Sequence, residues 1–180
     1  MLRSFILLLA LISLLVISCE RPPNFPDVPE IAYKSIRNTP VVSTGLGGNK
    51  DSISISITFK DGDGNLGLSQ EDVGTSPYVG EFEKNYFVTT YRKVNGEFEK
   101  VVFSGLELGG RFGPLTDESV TGPIEGTLNY AVEIPRYNNP DESFALSRGD
   151  TLMFDVYIVD RDLNKSNTIE TEEVVYFKEE

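Results

Sequence analysis

Along most of the chain, apolar and polar side chains alternate with a period of two. From Ser52 to Lys60, Ile53, Ile55, Ile57 and Phe59 fall on one face, with Ser54, Ser56 and Thr58 on the other. Successive side chains of a strand point to opposite sides, so this pattern predicts a strand with one face buried and one wet. Leu128, Tyr130, Val132 and Ile134 repeat it as far as Pro135. Leu152, Phe154, Val156 and Ile158 form the most apolar face, after the turn Arg148-Gly149-Asp150. Tyr86 to Lys93 and Glu97 to Ser104 flank Val94-Asn95-Gly96. Asn-Gly accepts the positive φ angles of a type I′ turn, which predicts a hairpin there. Thr168 to Phe177 reads as a last strand. A weaker one spans Ile31 to Ile36 and resumes at Val41 to Thr44. Nothing longer than a turn reads as helix.

Seven or eight short strands separated by turn signals predict an all-β fold, an immunoglobulin-like Greek-key β-sandwich. A small β-barrel or jelly roll is the alternative. Two irregular stretches, Gly62 to Gly80 and Gly105 to Gly126, interrupt the strands, and stretches of such length are usually functional or disordered. Before the first strand, Glu20 to Glu30 reads ERPPNFPDVPE. Pro22, Pro23, Pro26 and Pro29 exclude helix and favour an extended, polyproline-like tether with a reach of about 30 Å, at about 3.1 Å per residue.

The chain opens differently. Arg3 is the only charge before Glu20, and an apolar run from Phe5 to Ile17 is broken only by Ser13. The run is shorter than the about 20 residues that cross a bilayer core, and fits the h-region of a secretory signal. It ends in Leu15-Val16-Ile17-Ser18-Cys19. With an aliphatic residue three before the cysteine and a small one immediately before it, this segment resembles the lipobox of bacterial lipoproteins. The resemblance implies cleavage before Cys19 and a covalent lipid on its thiol. Two or more acyl chains hold a protein stably to a membrane, at about 0.8 kcal/mol per buried CH₂. The expected organisation is therefore a signal peptide over 1–18, a lipidated cysteine and tether over 19–30, and a β-sandwich domain over 31–180.

Composition narrows the function. After removal of residues 1–18, 15 basic residues stand against 28 acidic ones. Nucleic-acid binding depends on Lys and Arg neutralising phosphates, so this balance argues against it. It suits cation binding or solubility beside a membrane. Cys19 is the only cysteine, and histidine is absent. That removes disulfide frameworks, the commonest general base and the commonest transition-metal ligand. Carboxylate-only chemistry, as in glycosidases, is the enzymatic route left open.

The strand ending at Phe59 runs into Asp61-Gly62-Asp63-Gly64-Asn65-Leu66-Gly67-Leu68-Ser69-Gln70-Glu71-Asp72. Oxygen side chains at the alternate positions Asp61, Asp63 and Asn65 converge when such a loop curls, and calcium takes six to eight oxygen ligands. Ser69 and Asp72 fall at the ninth and twelfth positions of an EF-hand count. Leu66 stands where that motif has glycine, and a strand precedes the loop instead of a helix. A calcium loop on a β scaffold is the expectation. Asp160, Asp162 and Asn164 repeat the spacing after the strand that ends at Ile158. In an immunoglobulin-like sandwich the second and penultimate strands run in the same direction. If these two strands hold those places, both loops emerge at one pole and share an ion or line adjacent sites. Asp, Gly and Asn are also the common turn residues, and Arg161 and Lys165 offer the second loop cations of its own.

The strand with Phe59-Lys60-Asp61-Gly62-Asp63-Gly64-Asn65-Leu66-Gly67-Leu68, together with Val159-Asp160-Arg161-Asp162-Leu163-Asn164-Lys165-Ser166-Asn167, resembles single-domain lipoproteins of Bacteroidetes-type bacteria. These carry an immunoglobulin-like domain of unassigned function. The resemblance implies an outer-membrane lipoprotein of the cell envelope, periplasmic or surface-facing. The expected function is non-catalytic binding of a partner protein, a glycan or calcium. An accessory subunit of an outer-membrane complex is the alternative, and a carboxylate-based hydrolase using Asp61, Asp63, Asp160 or Asp162 is a remote one. Tyr86, Tyr91, Phe98 and Phe103 around the hairpin suggest a binding face if exposed, whereas simple alternation sends half of them to the core.

Overall fold

The alternation centred on Ile53 to Phe59 continues one inward step beyond the apolar residues at each end. In the computed structural model, which describes residues 23–42, 48–103, 105–117, 121–136 and 146–178, it forms the second of eight strands. These are β1 (Glu30–Val41), β2 (Lys50–Asp61), β3 (Tyr86–Val94), β4 (Glu97–Val101), β5 (Ile124–Pro135), β6 (Thr151–Ile158), β7 (Ile169–Glu170) and β8 (Val174–Val175). The inward positions of β2 are Asp51, Ile53, Ile55, Ile57, Phe59 and Asp61, and all six are buried.

One antiparallel sheet has the order β1-β2-β5, and the other β4-β3-β6-β7, with β8 also paired to β6. Ile53, Ile55 and Ile57 of the first sheet meet Leu152, Phe154, Val156 and Ile158 of the second in one apolar cluster. Removing each such side chain from water contributes about 1.5–3 kcal/mol, which is what holds the layers together. Tyr86 and Tyr130 stack between them with ring centroids 4.2 Å apart.

The chain is all-β, as the alternation predicts. Among the described residues the only helical turn is the 3-10 turn at Gly80–Glu83, and no closed barrel forms, so the barrel alternative is set aside. The hairpin turns at Asn95 and Gly96, with φ of 52° and 93°. The first strand is continuous instead of interrupted after Ile36, with a register irregularity between Tyr33 and Ser35. Its expected end at Ser43 and Thr44, and that of the hairpin at Ser104, lie outside the described residues. So do the leader, Cys19 and the first residues of the tether.

The expected last strand, Thr168 to Phe177, is instead two short ones. Glu170 pairs with Asp155, but Val174 pairs with Leu152, so the register slips by one residue between them. Thr171 sits at the slip. Its hydroxyl accepts the Phe154 N–H at 3.0 Å while its own N–H reaches the Phe154 carbonyl at 2.9 Å, and one extra residue is taken up between β7 and β8.

Of the hairpin aromatics, Tyr86 is buried, whereas Tyr91, Phe98 and Phe103 are half-buried, with Phe103 packed against the core. Alternation thus sends two of the four, Tyr86 and Phe103, to the core, while Tyr91 and Phe98 stay outside it.

Candidate functional site at the acidic pole

Strand β2 delivers Asp61 to one end of the sandwich, and the loop after it is pinned from several sides. The Gly62 N–H donates to the Pro26 carbonyl at 2.8 Å. A Cβ on Gly62 would lie 2.5 Å from the Phe25 carbonyl oxygen, so only glycine lets the N-terminal arm pack here. Leu66 and Leu68 turn inward and are buried. The backbone of this loop is paired with the glycine-rich stretch: Leu68 N–H to Phe112 carbonyl at 3.1 Å, Leu115 N–H to Leu66 carbonyl at 3.1 Å and Gly122 N–H to Asp63 carbonyl at 3.1 Å. Both irregular stretches are therefore interlocked structure, at least over their described residues.

This packing separates the loop from an EF-hand. Leu66, at the sixth position, is a core residue. Ser69 and Asp72 bond each other, with the Ser69 N–H donating to Asp72 Oδ2 at 2.7 Å and the Asp72 N–H to Ser69 Oγ at 3.2 Å. Asp72 thus closes a local turn of its own.

The second loop folds around Asp160, which is almost fully buried. Asn164 donates its N–H to Asp160 Oδ1 at 2.7 Å and its Nδ2 to Oδ2 at 2.9 Å. The tight return puts Leu163 at a positive φ of 64°. Asp162 projects outward and is exposed.

The two loops meet. Asn65 Nδ2 donates to Asp63 Oδ2 at 2.9 Å in its own loop and to Asp162 Oδ2 at 3.1 Å in the other. Arg161 Nε donates to the Asn65 carbonyl at 3.1 Å, and the Tyr78 hydroxyl donates to the Arg161 carbonyl at 2.8 Å. Asp61, Asp63, Asn65, Asp160, Asp162 and Asn164 therefore share one pole, and Asp72, whose charge acts with those of Asp160 and Asp162 on Tyr78, is taken up by the turn with Ser69. Lys165 lies with its ammonium 3.7 Å from the centre of the Tyr157 ring, on the outer face of the sheet.

Asp61 is the anomaly. It has no exposed surface, and neither of its carboxyl oxygens has a hydrogen-bond partner. The backbone N–H groups of Asn65 and Gly64 lie close enough to oppose its protonation but do not close hydrogen bonds. Burial, followed by the charges of Asp63 and Asp160, pushes its pKa up from 3.8 to about 7. Asp160 is also raised, by burial and by Asp162 and Asp63, against the pull of its Asn164 hydrogen bonds. Asn65 Oδ1 is a third buried oxygen without a partner. Leaving such a group unsatisfied costs about 1–3 kcal/mol, and more when it is charged, so three at one pole call for an occupant that accepts lone pairs.

Hard oxygens of carboxylate and amide are the donors calcium takes. The cage is open, since among the described residues no three carboxylates surround a common point. The unpartnered oxygens that could hold an ion here are those of Asp61 and Asn65 Oδ1. The Asn65 Nδ2 group, bridging Asp63 and Asp162, now supplies the partial positive charge between the loops.

Two residues that hold this pole escape sequence reasoning. Asn167 clamps the start of β1, accepting the Ile31 N–H at 2.8 Å and donating to the Ile31 carbonyl at 2.8 Å. Asn85 does the same for Phe112, with both bonds at 2.9 Å. An asparagine amide imitates a peptide group in this way, and nothing local distinguishes it from any loop asparagine. In comparisons with known proteins, the chain matches no family model, no curated protein and no solved structure.

Proposed function

We propose that this chain is a non-catalytic, lipid-anchored module of the cell envelope whose acidic pole binds calcium. The observation that carries the calcium reading is Asp61, a buried carboxylate with two unpartnered oxygens under the charges of Asp63 and Asp160, in a loop whose Asn65 Oδ1 is also unpartnered. A cation that binds only the folded state satisfies these oxygens and offsets the mutual repulsion of the carboxylates. The anchor reading rests on the Val16-Ile17-Ser18-Cys19 segment and the apolar run before it. The strand order β1-β2-β5 against β4-β3-β6-β7 supports an immunoglobulin-like Greek key, in which β2 and β6 are the strands that lead into the two acidic loops.

Titration calorimetry on metal-free protein tests the calcium reading. Binding that is abolished by Asp61→Asn is the expected result. A melting temperature that is the same in millimolar calcium and in excess EDTA would sink it.

A second reading, a glycan or protein partner on the five-stranded sheet, draws on one feature. Phe87 and Tyr157 stack on its outer face at 4.6 Å beside a cleft of about 430 Å³ whose walls include Leu106 and Val102. Retention on immobilised envelope glycans, lost in Phe87→Ala, is its test.

A further inference from the structure

The N-terminal arm reaches the sandwich at the same pole as the acidic loops. Glu30 pairs with Lys60 at the start of β1, and Pro26 is bonded to Gly62, the residue between Asp61 and Asp63. Lys60 lies over the Phe25 ring at 5.3 Å. Six residue steps separate Cys19 from Phe25, which at about 3.3–3.6 Å per step is a span of about 20 Å at most. The hairpin at Asn95-Gly96 lies at the other end of the sandwich, because Tyr86 pairs with Ile158 while Arg92 pairs with Leu152.

Three of the six exposed large apolar side chains among the described residues lie at this pole: Val28, Val79 and Leu115 are 47%, 48% and 37% exposed, while Val42 and Val175 lie at the other end and Val102 just past β4. Each of the first three lies on a segment tied by a hydrogen bond into the acidic loops: Pro26 to Gly62, Tyr78 to Arg161, and Leu115 itself to Leu66. Apolar side chains at loop tips lower their free energy in the headgroup region of a bilayer, but the carboxylates beside them are repelled by its phosphates. An ion bound at the pole removes that conflict, and the unpartnered oxygens of the fully buried Asp61 provide its seat.

We propose that the acidic pole is the face this domain turns toward the membrane, and that a divalent cation there permits its close contact with anionic phosphodiester headgroups. This rests on the calcium reading and on a lipid at Cys19. The far pole, with the hairpin, points away and is the end open to other partners.

The lipidated full-length mature protein, reconstituted in nanodiscs containing phosphatidylglycerol, tests this. Cys19 is the only cysteine and is consumed by lipid, so Glu71→Cys on the loop carrying Tyr78, or Glu97→Cys at the hairpin, takes a single fluorophore. Headgroup-quencher lipids should quench the residue 71 label at least twofold more in calcium than in EDTA, and leave the residue 97 label nearly unchanged. Asp61→Asn and, separately, the exposed Asp162→Asn should reduce the calcium effect. Calorimetric calcium binding with no change in quenching at residue 71, or with equal quenching at residue 97, overturns the membrane-facing pole and leaves the calcium reading standing. Absence of calorimetric binding overturns both.

Discussion

Strand β2 carries a buried aspartate near each end, Asp51 and Asp61, and the two ends are built in opposite ways. At Asp51, Arg136 Nε donates to Oδ1 at 2.5 Å, while Asn38 Nδ2 and the Phe177 N–H donate to Oδ2 at 2.8 Å and 2.6 Å. Arg136 and Arg148 both lie over the Phe177 ring, at 4.6 Å and 4.3 Å. Charge and lone pairs are answered from within the chain. At Asp61, on the same face of the same strand, neither oxygen is answered and the nearest charges are negative. A fold able to complete one buried carboxylate so fully leaves the other bare where a ligand is wanted, and that difference separates a structural charge from a functional one.

The largest expected effect is at the completed end. Asp51→Ala strands a buried guanidinium and the Phe177 N–H, and breaking such a pair costs about 3–5 kcal/mol. Urea denaturation in EDTA should show that loss for Asp51→Ala and little or no loss for Asp61→Asn, which removes an unanswered charge. A greater loss at Asp61 than at Asp51 would reverse the comparison.

Calcium should act only on the bare end. At one hundred times its Kd, an ion that binds only the native state adds about 2.7 kcal/mol. Wild type and Asp51→Asn should both gain that increment, whereas Asp61→Asn should gain none. Equal gains in all three would place the ion elsewhere.

The parity of β2 makes both aspartates legible. Positions 51, 53, 55, 57, 59 and 61 form one face, so Asp51 and Asp61 belong to it as surely as the isoleucines between them. Read as a turn residue, Asp61 looks exposed, and Asp51 passes unnoticed. The partners of Asp51 are beyond sequence reasoning, because Arg136 and Phe177 lie 85 and 126 residues away and reach it only through the packing of two sheets. The meeting of the two acidic loops follows from strand direction once the order of the sheets is granted. The commitment of Asp72 to Ser69 does not follow, since an aspartate three residues after a serine reads equally as ligand or as local turn.

The pH dependence of stability reports on the bare end. In EDTA the folded state holds a proton on Asp61 up to about pH 7, while the unfolded chain releases it near 3.8. Between those values the native state binds more protons, so stability falls as pH rises from about 4 to about 7. Asp160, also raised, contributes with the same sign. Asp61→Asn should flatten most of this slope. Saturating calcium should do likewise, because the ion favours the ionised carboxylate. A wild-type stability in EDTA that rises steadily across that window would contradict the bare carboxylate.

The smallest effect tests how the bare pole keeps its shape without ion pairs of the Asp51 kind. Asn167 joins the second acidic loop to the first strand through two neutral hydrogen bonds on Ile31. Such bonds contribute about 0.5–1.5 kcal/mol each. Asn167 is itself exposed, so water replaces much of what is lost. Asn167→Ala should therefore cost about 1–2 kcal/mol and speed amide exchange at Ile31, with exchange at Phe177, beside Asp51, unchanged. If the second acidic loop is the mobile partner in binding, the variant also weakens calcium in proportion to that lost stability, since the ion must then hold in place a loop the clamp no longer holds. An affinity untouched by Asn167→Ala would locate the ion on the first loop alone, with Asp61, Asp63 and Asn65, and reduce Asp160 and Asp162 to its electrostatic surroundings.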